Sequence, residues 1–396
     1  MSRVEEQRLA LLGGDPVRTR PWPTYDKGDV LIDEDDVKAA GRAVKSKLLF
    51  RYDRRSLPDT EVGRFEQRLC EYFRVRHALA VSSGSAALSL GLMALGIGRG
   101  DEVLCSAFGF PASPSSVMLT GAHPALVDLD DDLHISLADL QRKLSHRTKA
   151  ILMVHMRGQA GDVEAVLETA REWGIPLIED AVPVLGVRYG RRHLGTFGAV
   201  GAFSTQSDKS LNTGEGGFLL TDDTAVFERA AVLSGAYEGR LGKHCVGWTP
   251  SENELRLPLF NFRMDEVRGA IACAQLAKLP GRLELLQRQY EMVAGMLSRY
   301  PEIVVRRSHA SEATLGDTIL FRLHDGDADE AYWFARALRA EGIEARSFGP
   351  RGGDNVRAFW TWEFMFPGRS RDEIRGLLPA ATRLLDTTID IPLSPT

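Results

Sequence analysis

The chain has 396 residues, 44% of them apolar and 26% charged, with a formal net charge of −5 at pH 7. That length suggests two domains, or one large and one smaller, with apolar content ample for a packed core. The small net charge and the scattered arginines exclude nucleic acid or an anionic membrane as the expected partner.

The N-terminus, Met1-Ser2-Arg3-Val4-Glu5-Glu6, is polar and lacks the apolar core of a signal peptide. The most apolar stretch, Ala86 to Ile97, is interrupted by Ser and Gly and is too short to span a bilayer. Cys70, Cys105, Cys245 and Cys273 are far apart and form no C-x-x-C pair. That argues against a zinc site or a disulfide framework. The expectation is a soluble cytoplasmic protein with reduced thiols and no metal.

Residues 1–30 hold Gly13-Gly14, Pro16, Pro21 and Pro23 and read as an arm laid across another surface. Asp33 to Lys47 has helical spacing, with acids early and lysines late as the helix dipole favours. In Leu48-Leu49-Phe50-Arg51-Tyr52, Arg51 reads as the snorkelling end of a hydrophobic anchor. Glu61 to Phe73 is amphipathic and reads as helix.

His77 to Val81 reads as a strand that runs into Ser82-Ser83-Gly84-Ser85-Ala86-Ala87-Leu88 and an apolar helix. Strand, small-residue turn and helix start together offer free N–H groups and a positive dipole end to a phosphate. Gly84 would allow close approach, and Ser85 and Ala86 would donate. Any capped, buried helix has the same look, so both readings stand here.

Val103 to Cys105 is the next strand, followed by Phe108-Gly109-Phe110-Pro111. Pro124 to Asp128 is another, and Ser136-x-x-Asp139 is a capping pattern. Lys149 to His155 follows as a strand, and Asp162 caps a helix that Gly174 ends. Arg157, just past a strand end, reads as a salt-bridge partner or as a contact for a substrate carboxylate or phosphate.

The central stretch runs from residue 176 to 221. Pro176-Leu177-Ile178 is a short apolar strand ending in Glu179-Asp180. Val200 to Ser204 is a second strand, followed by a polar turn carrying Lys209. Thr213-Gly214-Glu215-Gly216-Gly217 and the strand Phe218-Leu219-Leu220 complete it. Strands alternating with helices imply a mostly parallel sheet covered on both faces. No G-x-G-x-x-G follows a strand, so a dinucleotide fold has no fingerprint.

An acid at the carboxyl end of a buried parallel strand lies where open α/β sheets bind ligands. A lysine able to form a Schiff base, with a carboxylate to keep a ring nitrogen protonated, is what pyridoxal 5'-phosphate requires. Asp180 and Lys209 supply that pair. Singly, the lysine reads as a solvated turn residue and the aspartate as a cap. The glycines around Lys209 favour the functional reading, since they let backbone approach a ligand.

Asp222 to Leu233 reads as helix, and residues 234–257 as a charged, Gly-rich loop of functional or interfacial length. Asp265 to Leu279 reads as a helix broken at Pro280, with a second helix from Arg282 to Tyr300. Short strands at Ile303–Val305, Thr318–Leu323 and Ile343–Arg346 surround a helix from Asp327 to Ala340. The division expected is an arm (1–30), a large domain (31–264) and a small α/β domain (265–396).

Ile178-Glu179-Asp180-Ala181-Val182, Tyr189-Gly190-Arg191, Gly195-Thr196-Phe197-Gly198, Gly201-Ala202-Phe203-Ser204, Lys209 and the Thr213–Gly217 run together resemble the DegT/DnrJ/StrS aminotransferases. The resemblance is good over residues 12–280 and looser beyond. The Gln206-x-x-Lys209 spacing, Leu211 and Leu49-Phe50-Arg51-Tyr52 look most like the cyclitol and aminohydroxybenzoate branch.

The resemblance implies the aspartate-aminotransferase fold (fold type I) and pyridoxal phosphate, with pyridoxamine 5'-phosphate as its intermediate form. It implies amino transfer from glutamate or glutamine to a keto sugar or cyclitol of secondary metabolism, by a ping-pong Schiff-base route. By carry-over, Lys209 holds the cofactor and shuttles the proton, and Asp180 faces the ring nitrogen. The phosphate turn falls at Gly84, Ser85 and Ala86, Phe110 stacks on the ring, and Ser204 adds a phosphate contact. Phe110 also reads as core filler on its own residues. Gln206, Arg51, Tyr52 and Arg157 would lie near the substrate. Asn261, in Asn261-Phe262-Arg263-Met264, would reach the cofactor phosphate of a second subunit, implying a homodimer with shared sites.

Three departures from the pattern stand out. Pro183 replaces a Gln or His that bonds the ring oxygen, Ser210 replaces an Asn, and the closing C-terminal helix is missing. Two rival readings are a deoxygenating dehydratase of the same fold, whose members replace the lysine with His, and a non-catalytic scaffold.

Overall fold

The computed structural model describes residues 8–23, 28–244, 256–310, 313–353 and 355–394. Among the described residues the strands are β1 His77–Val81, β2 Glu102–Ser106, β3 His123–Val127, β4 Thr148–Val154, β5 Leu177–Asp180, β6 Arg188–Tyr189, β7 Arg192–His193, β8 Val200–Ser204, β9 Gly217–Thr221, β10 Ile303–Val305, β11 Thr318–Leu323, β12 Arg346–Ser347 and β13 Thr388–Pro392. A seven-stranded sheet has the order β1-β9-β8-β5-β4-β2-β3. Its strands from β8 through β3 pair in parallel, while β9 runs antiparallel to both β8 and β1. A second sheet, β10-β11-β13-β12, is antiparallel.

The central strands are mostly apolar on both sides because both faces are covered. In β4, Ala150, Leu152 and Val154 join one core, and Ile151 and Met153 join the other. The first core holds the Gly84–Ala94 and Thr224–Ser234 helices. The second holds the Glu61–Phe73 and Val163–Glu172 helices.

The Glu266–Leu297 helix does not break at Pro280, contrary to the sequence reading. Leu276, Leu279, Leu283, Leu286 and Tyr290 form one buried stripe through the proline. Pro280 itself lies on the exposed face, where water can satisfy the carbonyl that loses its partner. Leu276, Leu279 and Leu283 belong to the large sheet's core, and Tyr290 and Ala294 to the small sheet's. The strand expected at 343–346 forms instead at Arg346–Ser347.

The described part of the N-terminal segment lies on the C-terminal unit. The Glu341 carboxylate accepts from Ala10 N (2.8 Å) and Val17 N (3.0 Å), and Trp22 Nε1 donates to Pro392 O. Residues 1–7 and 24–27 of the arm, residues 245–255 of the charged loop with Cys245, and the last two residues lie outside the described residues. Cys70, Cys105 and Cys273 are free thiols. Among the described residues, no helix is long and apolar enough to cross a membrane.

Two buried imidazoles tie the fold to pH. His193 packs against Tyr72 and Phe73, and its Nδ1 lies 3.2 Å from Gly186 O. Burial, then the Arg188 charge, pulls its pKa down to about 4. Burial and the Arg306 guanidinium hold His134 well below the usual histidine range. Both stay neutral in the folded chain, while the unfolded chain takes up protons below about pH 6.5. Stability is therefore complete above that pH and falls as pH drops from 6.5 towards 4. Denaturant unfolding at stepped pH should show this fall, and His193→Phe should flatten part of it; a rise on acidification would contradict it.

Candidate active site

Asp180 is the last residue of β5, with β4 and β8 on either side. It is 3% exposed, and Ser113 Oγ donates to its Oδ2 at 2.5 Å. Val182 N donates to Oδ1 at 3.3 Å. Burial pushes the Asp180 carboxyl up, while the Ser113 hydroxyl, the Val182 N–H and the nearby His155 and Lys209 draw it back.

Lys209 sits in the connection between β8 and β9, which is pinned at several points. Thr205 N donates to Gly216 O, Thr213 N to Thr205 O and Ser207 N to Gly214 O. The Thr205 and Thr213 hydroxyls lie 2.6 Å apart. Lys209 N donates to Gln206 O at 2.9 Å, closing a four-residue turn.

Asp180 and Lys209 line one cavity of about 430 Å³. Gly84, Ser85, Phe110, Arg157, Ser204 and Gln206 line it too, as do the departures Pro183 and Ser210. Phe110 is 51% exposed, which excludes the core-filler reading. The N-terminus of the Gly84–Ala94 helix forms one wall, capped by Ser83, whose Oγ accepts from Ala86 N. A Cβ at residue 84 would lie 2.9 Å from the Ser204 Cβ, so only glycine leaves this corner open.

Ala86 therefore has its N–H committed to Ser83, and it does not line the cavity; its expected role as a phosphate donor is corrected. Arg51 and Tyr52 are corrected as well. Arg51 is 1% exposed, and both oxygens of Glu66 accept from its Nη2 at 2.8 Å, while Ala80 O accepts from Nη1. Tyr52 is buried, its hydroxyl 2.8 Å from His244 Nε2. Neither side chain lines the cavity. The snorkelling anchor is corrected too, since the Arg51 guanidinium is buried while Leu49 and Phe50 are exposed. Arg157 Nη2 donates to Asp390 Oδ2, so the salt-bridge reading applies, although the residue also lines the cavity. Asn261 is exposed and outside this cavity.

The sequence reading did not single out Ser113, Asp208, Leu315, Asp317 or Arg357. The last three come from the C-terminal part of the chain. Leu315 N donates to Gly158 O at 2.6 Å, and Gly109 N to Arg357 O at 3.3 Å. Only long-range pairing brings these residues to the cavity, and no local motif marks them.

The profile of the DegT/DnrJ/EryC1/StrS aminotransferase family matches residues 33–395. The chain belongs to that family. A putative L-glutamine:3-amino-2,3-dideoxy-scyllo-inosose aminotransferase of Micromonospora echinospora is 32% identical over 299 residues. The match covers 74% of this chain and 66% of that relative, just under two thirds of its length. The crystal structure of 3-amino-5-hydroxybenzoic acid synthase superposes with a TM-score of 0.78 at 22% identity, covering 96% of this chain and 94% of that one. An Escherichia coli GDP-4-keto-6-deoxy-D-mannose-3-dehydratase with bound hydrated pyridoxal phosphate superposes at 0.76 and 22% identity, covering 97% and 96%. The aspartate-aminotransferase type of α/β fold expected from the sequence is thus the fold of this chain, and the family and its fold are those of pyridoxal-phosphate enzymes.

The corrected role of Arg51 can be tested by stability. Arg51→Met strands a buried Glu66 carboxylate and should cost about 3–5 kcal/mol of unfolding free energy. Denaturant titration reads that loss, and residual activity at low temperature should keep its substrate KM. A variant of full stability with a raised KM would return Arg51 to the substrate.

Proposed function

We propose that the chain is a pyridoxal-phosphate-dependent aminotransferase. It would move an amino group from glutamine or glutamate to the keto group of a sugar or cyclitol. The observation that carries this reading is the convergence of Asp180 and Lys209 on one cavity, beside a helix N-terminus that glycine keeps open. The donor set fits the cofactor: an amine, a buried carboxylate and a phosphate-sized corner. A pocket of this volume is in the ordinary range for a small-molecule site.

When bound, the cofactor supplies an aldehyde that condenses with amines and a ring that spreads the electron pair left by α-proton removal. Lys209 Nζ would hold it, and once released would take the proton from the donor's α-carbon and return it as a general acid. Asp180, oriented by the Ser113 hydroxyl, would face the ring nitrogen and keep it protonated. Gly84, Ser85 and Ser204 would bind the phosphate, and Phe110 would cover the ring face. Gln206, three residues before Lys209, would touch cofactor or substrate.

Charge on the cavity wall supports an uncharged acceptor. Three basic residues, Lys209, Arg157 and Arg357, face four acids, Asp180, Asp208, Glu215 and Asp317, among the described lining residues. That balance suits a polyol ketone better than a diphosphate-bearing sugar. The glutamine-dependent inosose relative points the same way. Exposed Leu259 and Phe260 beside Asn261 support a homodimer in which Asn261 serves the second subunit's site. A cytoplasmic location fits such a biosynthetic enzyme. Lys209 argues against the dehydratase, and the pair Asp180 and Lys209 against a scaffold.

Purified protein given pyridoxal phosphate should turn yellow and bleach when glutamine or glutamate is added. Lys209→Ala should abolish the visible band and turnover. Asp180→Asn should keep the fold but lower kcat by roughly a hundredfold or more, the scale of a lost electrostatic stabiliser. Full turnover by Lys209→Ala would sink the proposal.

A further inference from the structure

We infer that Asp208 is the resting partner of the Lys209 amine, a positioning residue that biases the bound cofactor toward its amine form. The inference rests on the cofactor reading above and adds to it a residue that sequence motifs do not mark.

Asp208 immediately precedes Lys209, and neighbouring side chains on an extended chain point to opposite sides. Here the turn from Gln206 to Lys209 places both on the cavity. The Asp208 carboxylate lies 3.1 Å (Oδ1) and 3.3 Å (Oδ2) from Lys209 Nζ. Each side chain keeps 27% exposure, so the pair is partly shielded but not sealed from water. Asp180, Glu215 and Asp317 line the same cavity, yet it is Asp208 that Nζ pairs with among the described residues.

Nζ works in two states, covalently engaged with the cofactor or released as an amine. The ion pair as it stands needs the released ammonium with its three N–H groups; joined to the cofactor, Nζ would keep at most one. Whatever the pair contributes therefore favours the cofactor's amine form over its lysine-bound form. A partly exposed pair of this kind is worth roughly a two- to fivefold shift in that equilibrium. The pair also keeps the released amine at the cavity wall during proton transfer, instead of letting a long flexible side chain swing into solvent. Serving only the shape of the turn is the rival role, since aspartate is common in such turns. Asp208→Asn separates the two, because asparagine suits the turn and removes the charge.

The test uses holoenzyme equilibrated with fixed ratios of glutamate to 2-oxoglutarate. The visible band of the lysine-bound form is read against the near-ultraviolet band of the amine form. Asp208→Asn should move the partition two- to fivefold toward the lysine-bound form, with an unchanged thermal midpoint. Asp208→Glu, which keeps the charge, should stay close to wild type. An Asp208→Asn partition equal to wild type, or moved toward the amine form, overturns the inference while leaving the cofactor reading intact. A wild-type protein that shows no visible band with pyridoxal phosphate overturns both.

Discussion

A carboxylate at the end of a central strand has to be held in low dielectric, and Asp180 is where that problem is met. Its burial raises the cost of the charged form. The Ser113 hydroxyl and the Val182 N–H recover part of it. Both donors come from segments that start at the carboxyl ends of parallel strands, β2 and β5, which flank β4. The cavity exists because parallel strands end together there, and the turns leaving them diverge. Glu179, one residue earlier, points to the opposite face. It is satisfied by Gly195, Phe197 and Gly198 N–H groups and by His155. One strand thus carries two buried acids with separate tasks.

The small sheet is fastened to this centre by buried arginines. Arg306, on the loop after β10, donates to the carbonyls of Asp132 and Met156, and its Nη2 lies 3.1–3.2 Å from the ring nitrogens of His134. Burial lowers its pKa to about 10. Arg157, with φ of +60°, turns back to pair with Asp390 on β13, which also accepts from the Thr318 hydroxyl. Gly158 follows at φ +75°, and a Cβ there would lie 3.0 Å from the Leu315 Cβ. Leu315 and Asp317 reach the cavity only because this junction is so close. The wall facing the substrate is therefore built by the same contacts that join the two sheets.

Much of this was legible in the chain. The alternation of apolar strands and capped helices marked the parallel sheet. Ser136 and Asp162 cap helices as read, and Asp33 and Asp327, read as first helical residues, are caps too. Asp180 and Lys209 were readable because the acid ends a strand and the lysine sits among glycines. What was hidden is what depends on distance in sequence. Arg51 looked like a substrate contact until Glu66 and Ala80 closed around it. Pro280 looked like a break because local propensity counts the lost N–H and not the leucine stripe beneath it. Ser113, Asp317 and Arg357 carry no local signature at all.

The glycine pair after Glu215 shows how tightly the lysine and the phosphate corner are linked. Lys209 is placed by the β8–β9 ladder, whose last pair is Ser204 with Gly217. A Cβ on Gly217 would lie 2.5 Å from the Ser83 carbonyl carbon and 2.7 Å from Gly84 N. A Cβ on Gly216 would lie 2.4 Å from the Thr205 hydroxyl. The start of β9 thus packs backbone to backbone against the cap of the Gly84–Ala94 helix. Any larger residue at 217 would part the helix N-terminus from the hairpin that carries the amine. Backbone contact has no rotamers to relax, so the spacing between phosphate corner and amine is a property of the sheet edge, set before any ligand arrives.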